Sequence, residues 1–274
     1  MKYIALIYEL AGALDDIPQV ELENLFEQHS KVQAVAEQRD AYMTAVELKP
    51  PQTDKSIRIS NIHSDDYSDG TPSSNSMVSD GPFSDACEWF VGYYLFDCQS
   101  LNEALELAYM IPTTAGGGIE LRPLDQSLSH GPNKPSVEVP LSKNKSMYAL
   151  LNYHPEALIE NYVDEVMEEM IASNIFLSEI ATGNGDYIDG YRLMPSATAT
   201  SLKGSNGHRE IIDGPFNESK EVLLGLHILA CYSQAVAIDY AKSLNDATHG
   251  IVEIRPIKYH DSQAYPDLQW SSRY

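Results

Sequence analysis

Apolar positions along the chain form short runs and helical stripes that recur in a fixed order. The segment from Lys2 to Tyr8 is nearly all apolar and predicts a buried strand, as does 147–153. A helix follows each. Leu22, Leu25, Phe26, Val32, Val35 and Ala36 share one 3.6-residue face, and Met167, Met170, Ile171, Leu177, Ile180 and Ala181 share another. Strands are then predicted over 42–48 and 187–193, a Pro-containing bend, and strands near 55–60 and 198–203. A strongly apolar strand runs from Trp89 to Phe96 and is matched by Val222 to Ala230. A second helix opens at Ser100 and at Ser233; Ser100 with Glu103 has capping-box spacing. The first of these helices is expected to bury Leu101, Ala104, Leu105 and Ala108. A last strand closes each set at Arg122-Pro123 and Arg255-Pro256.

This order is a tandem repeat, and its offset is measurable. Asp80-Gly81-Pro82-Phe83 returns 133 residues later as Asp213-Gly214-Pro215-Phe216. Glu88, Gly92 and Cys98 match Glu221, Gly225 and Cys231 at the same offset. Upstream the offset is 145 and pairs Tyr3 with Tyr148, Tyr8 with Tyr153, Tyr42 with Tyr187 and Pro50 with Pro195. The first copy therefore carries 12 extra residues between Arg58 and Asp80, an acidic, Ser-rich stretch that predicts a loop over 59–79. Each copy reads β-α-β-β-β-α-β, an α+β, ferredoxin-like unit with one added hairpin strand. The expected boundaries are repeat 1 at 1–125, a linker at 126–146, repeat 2 at 147–257 and a C-terminal tail at 258–274. An antiparallel sheet with helices on one face leaves the other face bare, so the two repeats are expected to pack sheet against sheet as an intramolecular pseudo-dimer.

Composition narrows the partners. Hydrophobic residues make up 43% of 274 residues, and 18 Lys+Arg face 40 Asp+Glu for a net charge of −22. Such an excess of acid argues against nucleic acid and against an anionic membrane surface. No apolar run approaches the ~18 residues that span a bilayer. The opening residues lack the pattern of a signal peptide, so a cytoplasmic protein is expected. Three widely spaced cysteines predict no disulfide framework, and Cys98 and Cys231, at matched strand ends, are expected to be buried and inert. No His-x-x-x-His or Cys-x-x-Cys spacing occurs, so neither a metal nor a cofactor is expected.

Five motifs in order carry a resemblance. Lys2-Tyr3-x-x-Leu6-Ile7-Tyr8, the Asp-Gly-Pro-Phe turn, Gly92-Tyr93-Tyr94-Leu95, Ser100-Leu101-x-Glu103-Ala104 and the Glu-x-Arg-Pro ending resemble the DGPF branch of the YCII-related (YciI-like) family, in both copies. The resemblance implies a dimeric α/β-barrel, here with both halves in one chain. It also implies a His-Asp enzymatic site of the YciI type, and for some DGPF-type genes an association with alternative sigma factors. Fold alone names no reaction.

The candidate residues are titratable groups at matched or mismatched positions. His29 lies near the place of the YciI-type histidine, and its counterpart in repeat 2 is Asn174. Asp80 and Asp213 open the two turns, where the carboxylate serves either an Asx turn or an acid–base pair lining a shared cavity. Lys220 follows the second turn where the family carries a lysine; Cys87 replaces it in repeat 1, which favours a single asymmetric site. His154 and His227 stand where repeat 1 has Glu9 and Tyr94, and with Asp213 and Lys220 they form the richest titratable set. Arg58 and Lys203 match across the copies and suit an anion, whereas Arg122 and Arg255, before proline at strand ends, suit structural contacts. His29, Asp213 and His227 are thus catalytic candidates, and Lys220, Asp80, His154 and Arg58 ligand-binding ones. Two readings stay open. One is an enzyme or binder of an unknown small molecule, with a pocket between or beside the sheets. The other is a non-catalytic accessory protein whose acidic surface meets a protein partner. The chain is either a monomer or a dimer of pseudo-dimers. A formed cavity is the feature that separates the two readings.

Overall fold

A computed structural model describes residues 1–15, 17–51, 57–61, 76–80, 87–125, 144–155, 164–204, 208–217, 221–248, 250–262 and 270–271. Repeat 1 contains β1 (Lys2–Leu10), α1 (Gln19–Gln38), β2 (Tyr42–Leu48), β3 (Ile57–Asn61), β4 (Ser76–Asp80), β5 (Glu88–Asp97), α2 (Leu101–Met110) and β6 (Gly118–Pro123). Repeat 2 follows as β7 (Ser146–Pro155), α3 (Asp164–Gly183), β8 (Tyr187–Arg192), β9 (Thr200–Lys203), β10 (Glu210–Asp213), β11 (Glu221–Cys231), α4 (Gln234–Thr248) and β12 (Ile251–Ser262). The short β13 (Trp270–Ser271) pairs with β12. The protein is α+β, with antiparallel strand pairing and four helices among the described residues.

Each repeat carries one strand more than its apolar pattern predicts. β4 and β10 form hairpins with β3 and β9, and both lie just before the Asp-Gly-Pro-Phe turn. Met77 and Val78 of β4 and Ile211 of β10 are exposed. A solvated edge strand lacks the alternation that marks a half-buried one. The expected loop over 59–79 is therefore strand at both ends, and residues 62–75 lie outside the described residues.

These hairpins are exchanged between repeats. β3 of repeat 1 pairs with β12 of repeat 2, and β9 of repeat 2 pairs with β6 of repeat 1. The register sets Arg58 opposite Glu253 and Ser201 opposite Glu120. Arg58 thus corresponds to Ser201, and Lys203 to Ser60, which corrects the expected match of Arg58 with Lys203. The 145-residue offset fails here because a strand's equivalence is set by its ladder partners.

Strand order along the main sheet is β10-β9-β6-β1-β5-β2-β12-β7-β11-β8, so the repeats join through β2 and β12. At the far ends Leu124 forms an isolated bridge with Leu193, and Met194 N–H donates to the Pro123 carbonyl at 3.0 Å. Lys49 N–H donates to the Pro256 carbonyl in the equivalent place. β12 runs on to Ser262, into the segment expected as a tail, and pairs there with β2.

Three buried clusters follow from this arrangement. One is shared by both repeats and joins Ile4, Leu6 and Leu95 with Leu151, Leu226 and Ile228. The other two lie under the helices. Val32, Ala36, Ala104 and Leu107 pack on repeat 1's strands together with Leu202 of repeat 2. Leu177, Ala181, Ala237 and Ala241 pack on repeat 2's strands together with Ile57 and Ile59 of repeat 1. The helix faces are narrower than their periodicity suggests: Phe26, Leu101 and Ile180 are exposed, and Leu107 is buried in α2 instead of Leu101. Ser100 caps α2 by accepting from Glu103 N–H at 3.3 Å, and Glu103 reaches back to Gln99 N–H at 2.8 Å.

Candidate functional site

A cavity of about 410 Å3 lies in the helix layer of repeat 2, between α3, β8 and β11. Apolar side chains dominate its wall, among them Met167, Met170, Ile171, Ile175 and Met194. Its size lies within the usual range for small-molecule sites. Polar groups on its wall include Asn152, Asn174, Tyr187, Arg192, Asp125 and His227.

His227 is held in one orientation. Asn174 donates its amide to the Met170 carbonyl at 2.7 Å, so its oxygen faces His227 Nε2 at 2.8 Å. That oxygen accepts, so Nε2 carries the ring proton and Nδ1 presents its lone pair. Nδ1 lies 3.4 Å from the Tyr187 hydroxyl. A side chain at Gly190, the register partner of His227, would come within 2.2 Å of that hydroxyl and 2.9 Å of Nδ1. Gly190 is therefore what lets Tyr187 and His227 meet, where repeat 1 has Ala45.

Repeat 1 builds a different version of the same layer. The position of Asn174 is His29, and that of His227 is Tyr94; His29 Nδ1 lies 2.9 Å from the Tyr94 hydroxyl. Tyr42, the counterpart of Tyr187, donates to Asp261 at 3.1 Å, and Gln33 of α1 donates to the same carboxylate at 2.8 Å. The extended end of β12 thus fills repeat 1's layer with a carboxylate, beside Ala45 in the register.

His29 and His227 are both kept neutral, because burial pushes each imidazole down to about 4. An unfolded chain would protonate them near the ordinary value of ~6.5, so it binds more protons than the folded protein between those values. Stability therefore rises with pH across that window and is lost on acidification from pH 6.5 toward 4. Asp189 opposes this. Burial raises its carboxyl to about 6, so that group's contribution falls as pH rises to 6. Burial also raises the Glu9 carboxyl, which opposes the imidazoles in the same sense as Asp189. The imidazole contribution is therefore read by difference: between pH 7 and pH 5 the urea midpoint of His227→Gln is expected to fall less than that of the wild type.

The other candidates are not brought together. Asp213 is exposed at the end of β10, ahead of Gly214, whose φ is +109°. Asp80 ends β4 opposite Ile57, and Lys220 lies outside the described residues. His154 is buried in β7. Arg58 Nε lies 3.3 Å from Ser79 Oγ across the hairpin. Cys98 and Cys231 are buried, their thiols pushed up to about 11 and 12 by burial, and Cys87 is exposed. Among the described residues no cluster of His, Cys, Asp or Glu could hold a metal ion, and no helix is long and apolar enough to cross a membrane.

The repeated motifs serve the joint between repeats. Arg122 is 1% exposed and donates to the Met194 and Leu223 carbonyls of repeat 2 and to Glu120. Arg255 makes the reciprocal contacts with the Lys49 carbonyl and Glu253. Glu120 also accepts Phe216 N–H at 2.9 Å, and the Phe216 ring stacks on Tyr8 at 5.1 Å. The Glu-x-Arg-Pro ending of repeat 1 and the Asp-Gly-Pro-Phe turn of repeat 2 therefore meet.

Sequence reasoning reached His227 and missed Asn152, Gly190 and Arg192. The signal was in the repeat comparison, where Asn152 replaces Ile7, Gly190 replaces Ala45 and Arg192 replaces Glu47. A polar residue inside an apolar strand is the informative exception.

Known proteins agree with the repeat architecture. The model of the YCII-related domain matches residues 1–126 and again 147–261. An uncharacterized protein of Rhizobium meliloti (strain 1021) is 30% identical over 122 residues, 44% of this chain and 98% of the relative, which is thus about one repeat long. With two matches that span most of its length, the chain belongs to the YCII-related domain family and carries the domain twice.

Proposed function

We propose that this chain is a small-molecule-binding protein of the DGPF type, with its working site in the repeat 2 cavity and His227 as its proton-handling group. The two repeats form one dimeric α/β-barrel of eight strands, running from β6 through β1, β5, β2, β12, β7 and β11 to β8. The contacts of Leu124 and Pro123 with Leu193 and Met194 close it. The observation that carries the reading is the cavity itself, an apolar volume whose wall includes an imidazole set between Asn174 and Tyr187. Its neutral imidazole and the Tyr187 hydroxyl beside it give a bound organic molecule a hydrogen-bonding pair, and proton transfer through that pair is the reaction class we assign. The cavity favours ligand binding over an accessory protein that meets only a protein partner.

Calorimetric titration with 4-methylphenol tests this. The wild-type protein is expected to bind it, and Ile171→Trp, which fills the cavity, is expected to lower the affinity at least tenfold. Equal affinity in a folded Ile171→Trp variant would place binding elsewhere and overturn the assignment.

A further inference from the structure

We infer that the repeat 2 cavity takes a small organic acid with an apolar body, its carboxylate held over Gly190 by Tyr187 and Arg192. This deepens the proposed function and rests on the cavity being a small-molecule site.

The support is the protein's own comparison of its two halves. In repeat 1 a carboxylate occupies the helix layer: Asp261 lies beside Ala45, accepting from Tyr42 and from Gln33 of α1. The 145-residue offset carries Ala45, Tyr42 and Gln33 to Gly190, Tyr187 and Ser178, and all three line the open cavity of repeat 2. Charge then reverses. Repeat 1 has Glu47 on the neighbouring position, paired with Lys258 at 2.7 Å, where repeat 2 has Arg192. Arg192 lines the cavity, and its Nε lies 3.7 Å from an Asp125 carboxylate oxygen. That is longer than a charge-assisted hydrogen bond, and the guanidinium's outer nitrogens remain suited to a carboxylate.

The spacing of the wall sets the size of the ligand. Arg192 and Asn152 both line the cavity and are the two register partners of Gly225, on either side of β11. Two strand spacings set their backbones about 10 Å apart. A ligand of single-ring size spans that gap, with the methionines and Ile171 covering its apolar body.

Calorimetry with phenylacetate and 4-methylphenol on wild type and Arg192→Gln tests the assignment, with circular dichroism to show that the variant is folded. Phenylacetate is expected to bind the wild type more tightly than 4-methylphenol, and Arg192→Gln is expected to weaken phenylacetate at least tenfold and 4-methylphenol much less. If 4-methylphenol binds as tightly as phenylacetate, or Arg192→Gln spares phenylacetate, the acid assignment falls while the cavity remains a binding site. If neither binds, both fall.

Discussion

Replacing Arg122 by methionine is expected to lower the unfolding free energy by about 3–5 kcal/mol, the cost of breaking a buried ion pair from one side. Two losses combine. Glu120 stays buried without its cation, and the carbonyls of Met194 and Leu223 lose their donor. Both carbonyls belong to repeat 2, so the damage falls on the joint between repeats. Arg255→Met is expected to cost a similar amount, because Arg255 holds Lys49 and Glu253 in the same way. Urea denaturation followed by circular dichroism measures both. The double variant Arg122→Met/Glu120→Leu removes both charges and is expected to recover part of the loss. Recovery remains partial because Phe216 N–H loses its acceptor.

Arg209→Met is the second large effect, at about 3 kcal/mol. Arg209 precedes β10 in repeat 2 and is 9% exposed, yet its guanidinium ends α2 of repeat 1. It donates to the Ala108 carbonyl at 3.2 Å, the Tyr109 carbonyl at 2.8 Å, the Ile111 carbonyl and Thr113 Oγ1 at 2.9 Å. The last carbonyls of a helix have no i+4 donor within it, and a cation there also interacts favourably with the negative end of the helix dipole. Without the guanidinium the Tyr109 and Ile111 carbonyls lose this donor, while the Ala108 carbonyl keeps Ile111 N–H at 3.2 Å. The urea midpoint is expected to fall, and amide exchange is expected to quicken first around residues 108–113, because the loss is local to that helix end. A uniform loss of protection over both repeats would contradict a capping role.

The joint explains what could be read from sequence and what could not. The repeat was legible because the Asp-Gly-Pro-Phe turn and the Glu-x-Arg-Pro ending survive in both copies. Strand and helix positions followed from local periodicity. The hairpin exchange did not, since nothing in Ile57–Asn61 states that its partner is β12. Strand partners are chosen by the whole packed molecule. β4 was hidden because its apolar residues face solvent. In the site, His227 was visible as a histidine inside an apolar strand, whereas its geometry rests on neutral neighbours. Asn174 was seen only as the residue that lacks His29's imidazole, and Gly190 matters for a side chain it does not have. Lys220 and the first turn lie outside the described residues, and Asp213 stands exposed, away from the cavity wall.

Methyl NMR on methionine-labelled protein tests the cavity most directly. The chain has eight methionines; Met167, Met170 and Met194 line the cavity, and Met43 and Met147 pack at the cluster shared by the two repeats. Titration with 4-methylphenol is expected to shift the methyl signals of Met167, Met170 and Met194 and leave Met43 and Met147 in place. Shifts confined to Met43 and Met147 would move the site between the sheets, and unmoved signals at all five at saturation would contradict a binding cavity in repeat 2.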